Sequence, residues 1–371
     1  MARPLTILMQ NRPDSLTHPG GDTVQMERTA AFLRDQGHRI DISLESAPDL
    51  RAYDLVHMFN LTRPLETHAQ AVNAVRQRKP YLLSSVYWNL ESAVPWSAYE
   101  FPRNYWRRFV PVSVRNAIHS ARGRIRGVAA TSGDAATLQA QIVRDAAFIL
   151  PNSQAEKRHL LEQFPFLPHD RLVVVLNGID PPESESSSQS ESADDGASTG
   201  DARGAFVCAG AIGPRKNQLN LVRAFRELGD ERLVIIGNPS PGSDRYLRAV
   251  QVASGAHVTM HNAVDHARMH AILRGAKALV QPSYIETPGL AAMEAAAMGV
   301  PIVVGDLPPV REYFGELGFY CNPNSTRSIA EACRAVLAAP RRGGQEFAAR
   351  FEWRTVLRPL ISVCAELADA V

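Results

Sequence analysis

Pro282-Ser283-Tyr284-Ile285-Glu286-Thr287-Pro288-Gly289-Leu290-Ala291-Ala292-Met293-Glu294-Ala295-Ala296-Ala297-Met298-Gly299-Val300-Pro301 follows a short apolar run, Ala278-Leu279-Val280. The stretch therefore reads as strand, loop and helix. Alanine leads the helix-propensity scale, and Gly299 with Pro301 supplies a stop, so a buried helix is expected to begin just after Gly289. Glu294 is the only charged side chain between Leu290 and Pro301, and Glu286 lies eight positions before it in the Pro/Gly-punctuated loop.

A carboxylate in a buried helix costs several kcal/mol unless a cation, a donor or a ligand meets it. Gly289 leaves the backbone bare where the first N–H groups of the helix are free, so an anion could sit at that end. Carboxylates beside an anion make better sense as acceptors for neutral hydroxyls, with backbone N–H groups and a separate cation holding the charge. Hydroxyls together with a phosphate describe a sugar nucleotide. The plainer alternative leaves Glu286 solvated in its loop and pairs Glu294 with an internal arginine.

Working outward, the same strand and helix alternation runs through the chain. Leu5–Met9, Arg39–Leu44, Leu55–Phe59, Tyr81–Val86, Ala147–Leu150 and Leu172–Leu176 read as strands. Thr23–Gln36, Pro64–Arg78 and Gln154–Phe164, the last capped by Ser153, read as helices. The pattern resumes with strands Phe206–Ala211, Leu233–Ile236, His257–Met260, Ala278–Gln281 and Pro301–Val304. Helices Gln218–Leu228, Tyr246–Ala253 and His266–Arg274 lie between them, the first capped by Asn217 and the last by Asp265. Such alternation means parallel α/β sheets with right-handed crossovers. Between the two halves, residues 181–204 read PPESESSSQSESADDGASTGDARG. This stretch has too little apolar surface to offset the entropy of ordering and reads as a disordered linker with a reach of about 27 Å. The expected division is residues 1–180, the linker 181–204, a second sheet domain over 205–350, and a C-terminal helix over 351–371 that packs back toward the first domain. Ligands of open α/β sheets bind beyond the carboxyl ends of the strands, which places the expected site in a cleft between the two domains.

Composition narrows the function further. A length of 371 residues favours two domains, and the 45% hydrophobic and 21% charged fractions are those of an ordinary globular protein. A net charge of +2 lacks the overall basic excess of a dedicated nucleic-acid binder. Cys208, Cys321, Cys333 and Cys364 include no close-spaced metal or redox pair. With no apolar run long enough to span a membrane, a cytoplasmic protein is expected.

Three further features carry chemistry. Gly213-Pro214-Arg215-Lys216-Asn217 puts a basic pair at the start of a helix, which opposes the helix dipole but suits the grip of a diphosphate. Gly20-Gly21-Asp22 precedes the first helix, where paired glycines either let backbone approach a phosphate or sugar or simply shape a turn. Arg103, Arg107, Arg108, Arg115, Arg122, Arg124 and Arg126 stand with Tyr105, Trp106 and Phe109 in a stretch without acids. That segment suits an anionic membrane surface at the inner face, or an anionic acceptor, as well as it suits plain solvation. His257, His261, His266 and His270 do not follow a Cys/His metal motif, and no metal site is expected from them.

Together these residues resemble the retaining family 4 (group 1) glycosyltransferases, whose fold is GT-B, two Rossmann-like parallel-sheet domains facing a central cleft. The likeness covers nearly the whole chain and is strongest where Pro282-Ser283, Glu286, Gly289-Leu290 and Glu294-Ala295 match the family's PS-x-x-E-x-x-G-L-x-x-x-E-A block. Val175–Asp180, Leu150–Ser153 and Trp353 also sit where the family has similar residues. The resemblance implies that Glu286 contacts the donor sugar near the reacting carbon and that Glu294 binds the nucleotide ribose. It assigns the diphosphate to Gly289, Leu290 and Lys216, with Gly21 and the neighbouring Gly20 facing it from the first domain. The resemblance also implies a UDP- or GDP-linked donor as substrate, no metal or other cofactor, and a glycan or lipid-linked acceptor in cell-surface polysaccharide or glycolipid synthesis. Two departures stand out. Ala211 replaces an arginine the family often has, so Arg215 is expected to supply that charge. The acceptor-side histidine is missing from Ser84–Asn89, which leaves His57 or Tyr87 to line that side. A sugar-nucleotide epimerase and a non-catalytic sugar-nucleotide or glycan-binding module are the alternatives.

Overall fold

The computed structural model describes residues 3–88, 135–181, 202–338 and 340–370. The Arg-rich segment 103–126 and nearly all of the Ser/acid-rich linker lie outside the described residues.

The chain divides into two units, one holding the residues up to Trp88, those from 135 to Gly178, and those from Trp353 on, the other running from Ile179 to Glu352. In the first unit the elements run β1 (Thr6–Gln10), α1 (Gly21–Asp35), β2 (Arg39–Ser43), β3 (Leu55–Phe59), α2 (Pro64–Arg76), β4 (Tyr81–Ser84), α3 (Ala135–Asp145), β5 (Phe148–Leu150) and α4 (Gln154–Gln163). The strands form a parallel sheet in the order β2-β1-β3-β4-β5. All five residues of the central strand β3 are buried, while the edge strand β2 alternates toward solvent, as helices on both faces of a parallel sheet require.

The second unit continues with β6 (Phe206–Ala209), α5 (Gln218–Phe225), β7 (Leu233–Ile236), α6 (Asp244–Ala253), β8 (Val258–His261), α7 (His266–Gly275), β9 (Ala278–Gln281), α8 (Leu290–Ala297) and β10 (Ile302–Gly305). It closes with α9 (Pro308–Phe314), β11 (Gly318–Cys321), α10 (Thr326–Leu337) and α11 (Gln345–Arg350). Its sheet is parallel throughout, in the order β11-β10-β9-β6-β7-β8. This is the doubly wound order of a dinucleotide-binding domain, and the chain reverses its direction of progress between β6 and β9. Phe206 and Phe225 meet edge to face at 5.3 Å between ring centroids in the core under β6.

The last elements, α12 (Trp353–Val356) and α13 (Pro359–Ala370), belong to the first unit. Trp353 is buried there, and Arg354 donates to Asp35 at the end of α1 (3.0 Å). Pro359 opens α13, so the C-terminal helix expected over 351–371 is broken ahead of its proline. The four cysteines are buried and free. Among the described residues no helix is long and apolar enough to cross a membrane.

Three local readings need correction. Residues 172–176 form no ladder strand; Leu172 makes one isolated bridge to Ile149, and Val175 N donates to Pro151 O, so the segment is tied to β5 by single bonds only. The paired glycines do not form a turn ahead of the helix, because α1 begins at Gly21 with Gly20 as its N-cap. Asn217 precedes α5 in a left-handed conformation, and its side chain makes no cap hydrogen bond. Ser153 and Asp265 do cap their helices, accepting from Glu156 N and Arg268 N.

Candidate active site

The reversal between β6 and β9 brings two loops to the carboxyl ends of adjacent strands, where an open α/β sheet leaves a crevice. One is the Gly210–Asn217 loop leading into α5. The other is the Pro282–Gly289 loop leading into α8. Asn217, having left the capping role, stitches them together: its Nδ2 donates to Pro282 O (2.9 Å) and Pro323 O (2.7 Å). Tyr284 N adds a bond to Arg215 O (2.9 Å).

This stitching brings Lys216 and Glu286 together across 70 residues of chain. Lys216 Nζ donates to Glu286 Oε2 at 2.6 Å, and Ser283 Oγ donates to the same oxygen at 3.0 Å. The pair is partly open, with the lysine side chain 28% and the glutamate side chain 15% exposed. It holds a cation and a hydroxyl acceptor side by side at a half-wet crevice. Burial pushes the neighbouring Cys208 thiol up to about 12, so it takes no part as a thiolate.

Gly289 closes the loop at φ +98°, a conformation costly for any residue with a side chain. A Cβ there would also stand 2.9 Å from Glu286 Cγ and 3.1 Å from Gln281 Oε1. The glycine thus lets the first turn of α8 start directly beside the Glu286 carboxylate, with the N–H groups of that turn free to meet an anion. Gln281 Nε2 ties the end of β9 to Ala209 O on β6 (2.7 Å), which holds the floor of the crevice.

Arg215 does not join this pair. Its side chain is exposed and makes no ion pair among the described residues, and its backbone carbonyl is what the site uses. The charge expected to replace that missing at Ala211 is therefore not delivered to Lys216 or Glu286 in this structure.

Glu294 lies one turn along α8 and is met by histidine rather than arginine. His266 Nε2 is 3.1 Å from Glu294 Oε1, and His270 Nε2 is 3.8 Å from Oε2. Burial pushes the Glu294 carboxyl above its ordinary range; the hydrogen bond from His266 works the other way, and the Asp180 charge adds to the rise. Burial, helped by the charges of His266 and Arg274, lowers His270 to about 4. Reading the sequence missed these partners, although the spacing of four between His266 and His270 on α7 puts both on one helix face. His257 and His261 belong to β8 and its approach.

The remaining candidates lie in the first unit. Gly20 and the exposed Gly21 start α1, and a Cβ on Gly20 would stand 2.8 Å from Asp22 Oδ1. Asp22 is held by Arg12 Nε (2.8 Å) and Asn60 Nδ2 (3.1 Å). His57 is completely buried in β3, within 2.9 Å of Ser84 Oγ and stacked on Phe59; burial lowers it to about 3. Tyr87 is 5% exposed and packs against Phe164 and His159 in the core. Both are core residues, so neither is open to an acceptor from solution here.

Residues 196–352 match the family model described as glycosyl transferases group 1. Over 102 residues the chain is 36% identical to glycogen synthase of Mycobacterium tuberculosis, a match that spans 25% of each protein. It is 27% identical to the D-inositol 3-phosphate glycosyltransferase of Corynebacterium efficiens, covering 95% of this chain and 91% of the relative. The chain thus spans about a quarter of the first relative's length and most of the second's. In structure it resembles sucrose-phosphate synthase from Thermosynechococcus elongatus, with TM-score 0.73 and 16% identity over 100% of both chains. It also resembles Anabaena HepE in complex with UDP and glucose, with TM-score 0.69 and 14% identity over 97% of this chain and 99% of that one. At such identities the structural likeness establishes a shared fold, here GT-B.

Proposed function

We propose that the chain, whose residues 196–352 match the glycosyl transferases group 1 family, is as a whole a member of that family and a retaining glycosyltransferase that moves a hexosyl group from a UDP- or GDP-linked donor to a glycan or lipid-linked acceptor. The observation that carries the reading is the Lys216–Glu286 pair at the β6/β9 reversal, beside the glycine-opened start of α8. The UDP and glucose held by HepE favour a uridine diphosphate donor. The Arg-rich stretch 103–126 carries no part of the proposal.

In this reading the donor diphosphate lies against the N–H groups of Gly289 and Leu290 and takes Lys216 from Glu286, exchanging one anionic partner for another. Glu286, released from the lysine, accepts hydroxyls of the donor sugar, and Glu294 accepts those of the ribose. The bond between the anomeric carbon and the diphosphate oxygen breaks while the acceptor oxygen bonds to the same face of that carbon. The acceptor proton passes to the departing diphosphate oxygen. Lys216 and the backbone N–H groups stabilise the charge that grows there, which is where pre-organised donors lower a barrier most.

Incubation with UDP- and GDP-sugars and saccharide acceptors, followed by NMR of the product, tests the reading. Nucleoside diphosphate release with retained anomeric configuration is expected, and Lys216→Ala is expected to slow turnover at least about tenfold. An inverted product, an epimerised donor formed without any acceptor, or an unchanged Lys216→Ala rate would contradict it.

A further inference from the structure

Beside the Lys216–Glu286 pair, α7 and α8 assemble a second cluster. His266 and His270 are one helical turn apart, so their rings lie on one face of α7, with centroids 4.1 Å apart and planes tilted by 54°. Glu294 faces them from α8. One ligand-capable atom from each of the three side chains lies within 4.8 Å of the other two. His270 is 7% exposed, and its Nε2 is buried without a hydrogen-bond partner; the 3.8 Å to Glu294 Oε2 is too long to be one. A buried ring nitrogen aimed at a carboxylate it does not reach is a group awaiting something between them.

Bond lengths of about 2.0–2.2 Å put the ligands of a tetrahedral zinc ion about 3.4 Å apart. His266 Nε2 stands 3.1 Å from Oε1 and His270 Nε2 3.8 Å from Oε2 of the Glu294 carboxylate, separations close to that spacing for each histidine with its nearer oxygen. Two imidazoles with one carboxylate suit a borderline-soft ion, whereas magnesium and calcium take oxygen ligands. The His266 side chain is 59% exposed, so the cluster is open to entry from solvent.

We propose that His266, His270 and Glu294 bind one divalent transition-metal ion of the zinc type, leaving a fourth position for water, and that the bound ion excludes a nucleotide ribose from Glu294. The site stands on the geometry alone; the exclusion rests on the donor-binding role proposed above. A metal-ligated carboxylate has its lone pairs committed and its charge neutralised, so a ribose hydroxyl gains little from it. Occupancy would then inhibit transfer reversibly.

Titration of the full chain with Zn2+ in a calorimeter tests the site. The eleven histidines of the chain give a weak background, above which one tight equivalent is expected. His266→Ala, at an exposed position that leaves the fold intact as judged by thermal melting, is expected to weaken that equivalent at least about tenfold, since even outer-shell changes around bound metals cost 10–100-fold. Equal Zn2+ binding by wild type and His266→Ala would overturn the site. The second arm measures UDP affinity at fixed free Zn2+ in a metal buffer, with His266→Ala correcting for zinc held by UDP itself. A zinc-dependent loss of about tenfold in the wild type, absent from the variant, is expected. UDP affinity unmoved by zinc overturns the exclusion. If UDP does not bind, the same arm is run with GDP; a failure of both nucleotides to bind without any metal overturns the donor reading and the exclusion with it, and is told apart because the zinc stoichiometry is measured independently.

Discussion

One glutamate stands out in each unit, Glu156 in the first and Glu294 in the second, and the two are treated in opposite ways. Glu156 in the first unit is fully enclosed, yet its oxygens accept from Ser85 Oγ (2.6 Å), Tyr87 N (2.6 Å) and Asn152 N (2.7 Å). Glu294 in the second unit is partly buried, its side chain 19% exposed, and among the described residues it is met by a surface histidine at 3.1 Å and a second histidine out of hydrogen-bond reach. A carboxylate whose acceptors are filled by its own chain holds structure together. One left half-filled at the mouth of a crevice is kept for something that arrives.

The contrast can be broken most forcefully at Glu156. Its replacement by alanine strands three buried donors and is expected to lower stability by about 3–5 kcal/mol, read as a large fall in melting temperature. Glu294→Ala removes one hydrogen bond to a solvated ring and relieves burial of a charge, so its melting temperature should stay close to wild type. Comparable losses at both positions would erase the distinction.

A smaller effect sharpens it through pH. Burial pushes the Glu156 carboxyl up to about 7 from an ordinary 4.5, against the pull of its three donors. The folded chain therefore keeps this proton to higher pH than the unfolded chain does. Its contribution to stability is complete below pH 4.5 and is lost as pH rises through about 7, to the extent of about 3 kcal/mol. Melting temperature measured from pH 4.5 to 7.5 should decline less steeply for Glu156→Gln than for wild type; parallel curves would show that Glu156 is ionised throughout.

Much of this molecule was legible in its sequence. The Ala278–Pro301 stretch reads as strand, loop and buried helix because its apolar runs, glycines and prolines act locally, and Glu286, Gly289 and Glu294 stand out by their isolation. The Lys216 loop was legible because a basic pair at a helix start is electrostatically odd. Partners across 70 residues of chain were not: that Lys216 meets Glu286 depends on the β6/β9 reversal, which strand patterns alone do not order. Asn217 misled for a related reason. Asparagine before a helix suggests a cap by local rules, but the neighbouring loop offers carbonyls that only the folded sheet brings near. His57 looked available because a histidine in an apolar strand gives no sign of whether its face is covered, and the structure covers it with Phe59 and Ser84. The His266–His270 pair was visible as a spacing, but its meaning depended on α8 standing opposite.

The account rests above all on Glu294 being an acceptor for a nucleotide. Calorimetric titration of UDP and GDP into wild type and Glu294→Ala tests it directly. One equivalent should bind the wild type for at least one of the two nucleotides, and the variant should bind it at least about tenfold more weakly, about 1.4 kcal/mol, while melting at the same temperature. Equal affinity in the two proteins, or no binding of either nucleotide to the wild type, would contradict the account.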